Sequence, residues 1–148
     1  MTQVSTQPSS DRYTPAKNEP YMSDDQVAYF RKKLTDRKAE LSRKITRAIE
    51  KIKTLESMQA DILDRSNSYM GLELEVKSFE RYSNMLDQVD RALERIEDGS
   101  FGYCELTGNE IGLRRLEAIP FATMSIKALE EFEASQQPMY APRRTLFA

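Results

Sequence analysis

The amino-acid sequence predicts a mainly α-helical protein, in which a long antiparallel coiled-coil hairpin is followed by a small globular domain and a C-terminal helix. Two long stretches carry apolar residues at spacings of three and four, which is the pattern of a coiled-coil seam. Charged residues make up 31% of the chain, and only 5 of its 148 residues are glycine. This composition is typical of long charged helices rather than of a compact sheet.

The first helix has a clear start signal. Ser23 is a suitable N-cap, and Gln26 follows it three residues later, as in a capping box. Asp24 and Asp25 favour the positive end of the helix dipole. The apolar seam then runs through Val27, Phe30, Leu34, Leu41, Ile45, Ala48, Ile52 and Leu55. A helix is therefore predicted from residue 23 or 24 to the turn of the hairpin.

The second helix carries a matching seam and ends at a glycine. Its apolar residues are Phe79, Tyr82, Leu86, Val89, Leu93 and Ile96. Gly99 is then placed to be the C′ residue of the helix. Two helices of about 30 to 35 residues, each about 45 to 50 Å long, are predicted, joined by a tip near residues 58–68.

The charges of the two helices are opposite. Residues 30–55 contain ten Lys or Arg and three Asp or Glu, whereas residues 68–98 contain eight Asp or Glu and four Lys or Arg. Because neither helix can bury its apolar seam alone and the connection is short, an antiparallel hairpin is the economical arrangement. Opposite charges beside the shared seam favour this pairing.

The chain divides into four predicted parts. These are a disordered N-terminal arm at 1–20, the hairpin at 21–98, a globular domain with its C-terminal helix at 99–136, and a flexible tail at 137–148. The globular segment is rich in turn residues, and its final helix is predicted from Thr123 or Ser125 to about Ser135.

The composition argues against several classes of function. The net charge of −2 is unfavourable for bulk binding to nucleic acid, and no apolar run is long enough to span a membrane. The N-terminus has no export signal, so we expect a cytoplasmic protein. The chain has no histidine, no nucleophile and base pair and no phosphate-binding glycine loop, so we do not expect an enzyme.

Three stretches carry a resemblance to a known family. They are PYMSDDQVAYFRKKL at residues 20–34, DILDRS at 61–66 and FGYCELTGNEIGLRRLEAIP at 101–120. With these stretches and the distances between them, the chain resembles the DksA/TraR transcription factors of bacteria from residue 20 to about residue 135. A coiled coil alone would not be a specific sign of this family.

The resemblance implies a monomeric protein that binds bacterial RNA polymerase directly rather than a specific DNA sequence. In that family the hairpin enters the secondary channel of the polymerase and alters the stability of promoter open complexes. Stable-RNA promoters are repressed and some biosynthetic promoters are activated in the stringent response, often together with the alarmone guanosine tetraphosphate (ppGpp).

The resemblance also implies which residues form the tip. Asp61 and Asp64 match the acidic positions of the family's tip signature, and Ser66 stands in place of the usual alanine. Arg81 matches a basic position that could contact the polymerase. From the residues alone, Asp64 has a simpler role as a cap of the second helix, and Arg81 has one as a solvated residue.

The globular segment resembles a zinc-ribbon domain from which the ligands are missing. Cys104 stands at the first ligand position, but the other three positions hold Thr107, Ser125 and Ala128. Structural zinc needs four Cys or His ligands, so we expect a zinc-ribbon-like domain without zinc, and no other cofactor. The loss of ligands is also consistent with drift that has no physiological meaning.

The positions that face ppGpp in the family are changed as well. Where the resemblance implies three cations, this chain has Gln88, Ile119 and Leu129. We therefore expect the usual ppGpp site to be degraded, unless Lys127 or the pair Arg143 and Arg144 substitutes for the missing charges.

Two other functions stay open at this point. Two carboxylates at a tip could help to hold Mg²⁺, as in transcript-cleavage factors of similar shape. The chain could instead be a structural coiled-coil adaptor with no effect on transcription, which would self-associate through its seam.

Overall fold

A computed structural model describes residues 13–58 and 65–136, with the backbone alone for residues 65–68. Four helices follow one another: α1 at Asp24–Met58, α2 at Arg65–Asp98, α3 at Leu113–Ala118 and α4 at Ile126–Gln136. The described residues show no named strand, only one isolated bridge between Tyr103 and Glu110. The predicted fold class is confirmed: α1 and α2 form the long hairpin, and the globular end follows it.

The start of α1 lies where the sequence predicts it. The backbone N–H of Gln26 donates to Ser23 Oγ at 3.4 Å, and the N–H of Met22 donates to Gln26 Oε1 at 2.9 Å. The Gln26 side chain is fully buried, and its amide also donates to the carbonyl of Ala16 and the carboxylate of Glu19. Gln26 therefore joins residues 16–22 to the first turn of α1.

Apolar residues of both long helices form the hairpin core. Its most buried members are Phe30, Leu34, Leu41, Ala48, Val89, Ala92 and Ile96. Among the described residues, ion pairs that cross between the helices include Arg31 with Glu97, Lys38 with Asp90 at 2.7 Å, and Lys51 with Glu75 at 3.3 Å. Residue numbers rise along α1 as they fall along α2, as antiparallel pairing requires. These exposed pairs each contribute roughly 0 to 1 kcal/mol, so the buried seam carries most of the stability.

The C-terminus of α2 is closed by a glycine motif. Gly99 has φ +81°, and the N–H of Ser100 donates to the carbonyl of Arg95 at 3.0 Å. This six-to-one bond is that of a Schellman motif, with Gly99 as its C′ residue. The chain then turns into the globular end.

The globular end shares one core with the base of the hairpin. Phe101 lies 5.7 Å from Phe30, measured between ring centroids. The other buried apolar residues of the globular end are Cys104, Ile111, Leu116, Ala122 and Ala128. The helix α3 was not foreseen from the sequence, and α4 begins at Ile126, close to the predicted start.

Candidate functional site

Cys104 lies in a pocket of hydrogen-bond donors within the globular end. Only 3% of the residue is exposed. Burial raises the pKa of its thiol, but hydrogen bonds from the Thr107 hydroxyl and from the backbone N–H groups of Ser125, Thr107 and Leu106 outweigh burial and lower the pKa to about 6. Donors aimed at one sulfur stabilise its thiolate form. Cys104 thus holds the loop at 104–108 against the start of α4.

The other three positions of the predicted ligand set have structural surroundings of their own. The Ser125 Oγ accepts a hydrogen bond from the N–H of Ala128 at 3.2 Å, so Ser125 is the N-cap of α4. The Ala128 methyl group is buried in the core. Thr107 Oγ1 accepts from the N–H of Asn109 at 3.3 Å. Thr107 and Ser125 meet through the thiol of Cys104, not through each other.

Arg95 connects the end of α2 to the globular loop. Its side chain is only 12% exposed. The guanidinium donates to the Ser100 hydroxyl at 3.3 Å, to the Ser100 carbonyl at 2.9 Å and to the carbonyl of Tyr103. Because buried carbonyl groups need partners, this fork of donors stabilises the turn that follows α2.

Tyr21 connects the N-terminal segment to the globular end. Its hydroxyl donates to the carbonyl of Gly102 at 2.7 Å and accepts from the N–H of Gly112 at 3.0 Å. The ring packs edge-on against Tyr103, with 5.6 Å between the centroids. Burial raises the pKa of Tyr21. The Tyr21 side chain therefore joins the N-terminal segment to two positions of the globular end, which lie 81 and 91 residues further along the chain.

The predicted tip lies mostly outside the described residues. Asp61 and Asp64 are in this part of the chain, while Ser66 belongs to the first turn of α2, where only the backbone is described. Arg81 lies further along α2, with its guanidinium carbon 5.3 Å from the centroid of the Tyr82 ring. Met70 and Leu74 precede it and are 70% and 65% exposed.

Two of the predicted ppGpp positions line one cleft. Gln88 and Ile119 border a cleft of about 320 Å³ between α2 and the loop after α3, whereas Leu129 is not among its lining residues. The cleft also contains Arg91 and Arg115, and Arg115 donates to the carbonyl of Met124 at 2.8 Å. The cleft therefore contains two cations and the carboxylate of Glu105, whereas the three positions that the resemblance implies for ppGpp hold no cation.

Several residues that shape the site were missed from the sequence. Arg91 and Arg95 occur in a helix full of charges, so nothing in the periodicity distinguishes them. In the sequence, Tyr21 stands out only as part of a family stretch. It lies two residues before the cap Ser23, and no periodicity indicates its tertiary contacts.

Comparison with known proteins places this architecture in a family. The sequence profile described as "DnaK suppressor protein DksA, N-terminal domain" matches residues 26–96, and that of the "Prokaryotic dksA/traR C4-type zinc finger" matches residues 99–134. The RNA polymerase-binding transcription factor DksA of Caulobacter vibrioides is 41% identical over 125 residues, which cover 84% of this chain and 88% of that protein. The chain belongs to the DksA/TraR family.

Further relatives agree with this membership. The RNA polymerase-binding transcription factor DksA of Escherichia coli strain K12 is 32% identical over 126 residues, covering 84% of this chain and 83% of that protein. The solved structure of transcription factor DksA2 from Pseudomonas aeruginosa superimposes with a TM-score of 0.73 at 35% identity, covering 78% of this chain and 88% of that one. Among the described residues, no helix is long and apolar enough to cross a membrane.

The zinc implied by the DksA/TraR profile does not fit the residues of this chain. A structural zinc ion takes four Cys or His ligands, whereas the four positions here offer one thiol, two hydroxyl groups and a methyl group. Ser125 and Thr107 already use their hydroxyls in the loop and cap. Within residues 13–58 and 65–136, no three His, Cys, Asp or Glu side chains lie together in a group that could hold a metal.

Proposed function

We propose that this protein binds bacterial RNA polymerase directly and regulates transcription through its hairpin, without zinc. The observation that carries the proposal is the likeness over 125 residues, spanning both the hairpin and the globular end, to a protein named RNA polymerase-binding transcription factor DksA. The long, thin hairpin agrees with this role, since α1 alone has 35 residues, which corresponds to about 50 Å. Such a rod suits the secondary channel of the polymerase.

The proposed acting groups are the two tip carboxylates. Asp61 and Asp64 would be carried to the active-centre region, where they alter the stability of promoter open complexes. Their position rests on the sequence resemblance, since both lie outside the described residues. Ser66 adds a hydroxyl where the family has a methyl group, and burying that hydroxyl in a tight contact would weaken the effect.

Zinc independence is the second part of the proposal. Its support is the set of contacts that hold the globular end: the donors around Cys104, the fork of Arg95 and the bridge of Tyr21. The donors around Cys104 join the loop at 104–107 to Ser125, as a four-cysteine zinc site would. Arg95 and Tyr21 add contacts from the end of α2 and from the N-terminal segment to the turns of the globular end. A protein built in this way would keep its fold when zinc is scarce.

The response to ppGpp is expected to differ from that of the relatives. The cleft that Gln88 and Ile119 line has no cation at these two positions, but it contains Arg91 and Arg115. Phosphate recognition depends on such cations. We propose that any effect of ppGpp at this cleft runs through the two arginines.

The test combines polymerase binding with the lifetime of open complexes at a stable-RNA promoter. The wild type should bind core polymerase and shorten the lifetime, whereas Asp64→Asn should bind with similar affinity and leave the lifetime unchanged. Asp87→Asn is the matched control, because Asp87 is an exposed carboxylate on α2 away from the tip. A wild type that does not bind polymerase would overturn the proposal.

Two further assays separate the alternatives. Shortening of the RNA in stalled elongation complexes, dependent on Mg²⁺ and lost in Asp61→Asn, would support a transcript-cleavage factor. Stable self-association in sedimentation, with no binding to polymerase, would support a structural adaptor.

A further inference from the structure

The chain passes from the hairpin to the globular end once, in the turn that follows α2. The chain leaves α2 at Asp98 and turns through Gly99, which has φ +81° and open space where a Cβ would lie. The Schellman bond and the Arg95 fork hold this turn, and glycine adopts its left-handed conformation without strain. Contacts between the hairpin and the globular end act together with this turn in setting the angle between them.

One such contact is a polar clasp formed by Tyr29 and Lys33 of α1 with Glu117 of α3. The Tyr29 hydroxyl donates to Glu117 Oε1 at 2.6 Å, and Lys33 Nζ lies 2.8 Å from the same oxygen. Lys33 Nζ also donates to the backbone carbonyl of Glu117 at 2.7 Å. Two side chains of the hairpin thus hold one residue of the globular end by three hydrogen bonds.

The bond to the carbonyl ties the backbone of α3, not only a side chain. Glu117 lies in the last turn of α3, where carbonyl groups have no partner within the helix and the dipole is negative. The ammonium of Lys33 satisfies one of these groups from a different helix. The orientation of α3 is therefore fixed relative to α1.

The pKa values of Tyr29 and Glu117 agree with tight contacts in the clasp. The hydrogen bond to Glu117 and burial together raise the pKa of Tyr29 to about 12. Burial raises the pKa of Glu117, but the bonds from Lys33 and Tyr29 outweigh burial and lower it.

The clasp is poorly suited to stabilise the fold, which points to a different role. The side chains of Lys33 and Glu117 are 33% and 44% exposed, and ion pairs in such surroundings contribute little to the free energy of unfolding. The apolar contact of Phe30 with Phe101 supplies burial but has less directional preference than hydrogen bonds. The directional bonds of the clasp, together with those of Arg95 and Tyr21, favour one angle.

The angle between the hairpin and the globular end affects the shape of one cleft. A cleft of about 710 Å³ lies beside the clasp, between α1 and the loop after α3. Lys33, Arg37 and Arg43 line one side, and Ile119 and Phe121 line the other. A change in the angle between the hairpin and the globular end would alter the width of this cleft.

We propose that Glu117 is a positioning residue, which Tyr29 and Lys33 hold so that the globular end and the hairpin meet the polymerase at one fixed angle. This inference rests on the proposed function for its partner. A factor that is already held at its binding angle does not lose binding free energy to populate that angle when it associates.

The angle can be measured without polymerase. Residual dipolar couplings of backbone amides report the orientation of the hairpin and of the globular end separately. In the wild type, one alignment tensor should fit both parts, whereas Glu117→Ala and Lys33→Met should each require two tensors or show reduced couplings in the globular end. Asp90→Asn is the matched control, because it removes an ion pair of similar exposure within the hairpin. Unchanged couplings in both clasp variants would overturn the proposal.

The second measurement is the affinity for core polymerase. The two clasp variants should bind about 5-fold more weakly than the wild type, while their thermal midpoints and the control's affinity stay close to wild type. Altered couplings with unaltered affinity would refute the link between angle and binding. If the wild type does not bind at all, the proposed function fails and takes the polymerase part of this inference with it, while the couplings still decide whether the clasp sets the angle.

Discussion

Gly102 stands at the contact between the N-terminal segment and the globular end, so Gly102→Ala is a sharp test of this packing. Gly102 has φ +89°, a conformation that alanine adopts only with strain. A methyl group there would lie 2.7 Å from Met22 Sδ and 2.8 Å from Met22 Cγ. Both distances are far below van der Waals contact, so Met22 must move.

The expected cost follows from these two effects. The left-handed conformation costs about 1 to 2 kcal/mol. Displacing a partly buried side chain from a packed site costs about 1 to 3 kcal/mol. Gly102→Ala should therefore lower the free energy of unfolding by about 2 to 5 kcal/mol.

Gly108→Ala is the matched control, because Gly108 has φ +71° but nothing within 4 Å of the added methyl group. It should cost only the strain, about 1 to 2 kcal/mol. The free energies come from urea unfolding followed by circular dichroism. The double variant with Met22→Ala and Gly102→Ala should lose less free energy of unfolding than the sum of the losses of the two single variants. Equal losses for the two glycine variants would refute the packing of Met22 on Gly102.

Three further predictions concern the globular end and the seam. The pKa of the Cys104 thiol is lowered to about 6 from an ordinary value of 9.0. The stability that comes from ionisation of this thiol is therefore complete above pH 9, declines as the pH falls and is lost below about pH 6. The stability difference between wild type and Cys104→Ser should accordingly grow from pH 5 to pH 9 in urea unfolding, and a constant difference would count against a buried thiolate. Tyr21→Phe should cost about 1 to 2 kcal/mol, since it leaves the N–H of Gly112 without this partner, and hydrogen exchange of that amide should accelerate. Leu34→Ala should cost about 2 to 5 kcal/mol, whereas Ile49→Ala, at a residue 37% exposed, should cost clearly less; similar midpoints for the two would contradict the assigned core.

Local patterns made the hairpin predictable. The cap at Ser23, the seam through Phe30 and Leu34 and the closing Gly99 each depend on residues within a few positions of one another. Helix periodicity and helix ends are decided by such short-range physics. The opposite charges of the two helices then favoured antiparallel pairing, and Lys38 with Asp90 is one pair that results.

The globular end was less predictable because its contacts join distant parts of the sequence. Tyr21 bonds to residues 81 and 91 positions away, and Lys33 bonds to Glu117, 84 positions away. No periodicity reports such pairs. The short helix α3 was missed for the same reason, since a six-residue helix depends on its tertiary partners more than on its own propensity.

The spacing of Cys104, Thr107, Ser125 and Ala128 resembles that of a zinc ribbon, and the zinc-finger profile matches residues 99–134, but the spacing does not tell how a loop with one cysteine is held. That answer required the hydrogen bonds to the thiol and the N-cap role of Ser125. A sequence contains the identities of these residues, whereas the direction of each donor is a property of the folded loop.

A polymerase-binding regulator whose fold does not depend on zinc should keep its activity when zinc is removed. The most direct test measures repression of a stable-RNA promoter by purified protein before and after treatment with a strong zinc chelator, beside a family member that has all four cysteines, with the zinc content of both proteins determined. This protein should contain no stoichiometric zinc and repress equally in both conditions, while the four-cysteine protein loses activity. Stoichiometric zinc in this protein, or loss of its repression on chelation, would overturn the proposed zinc independence.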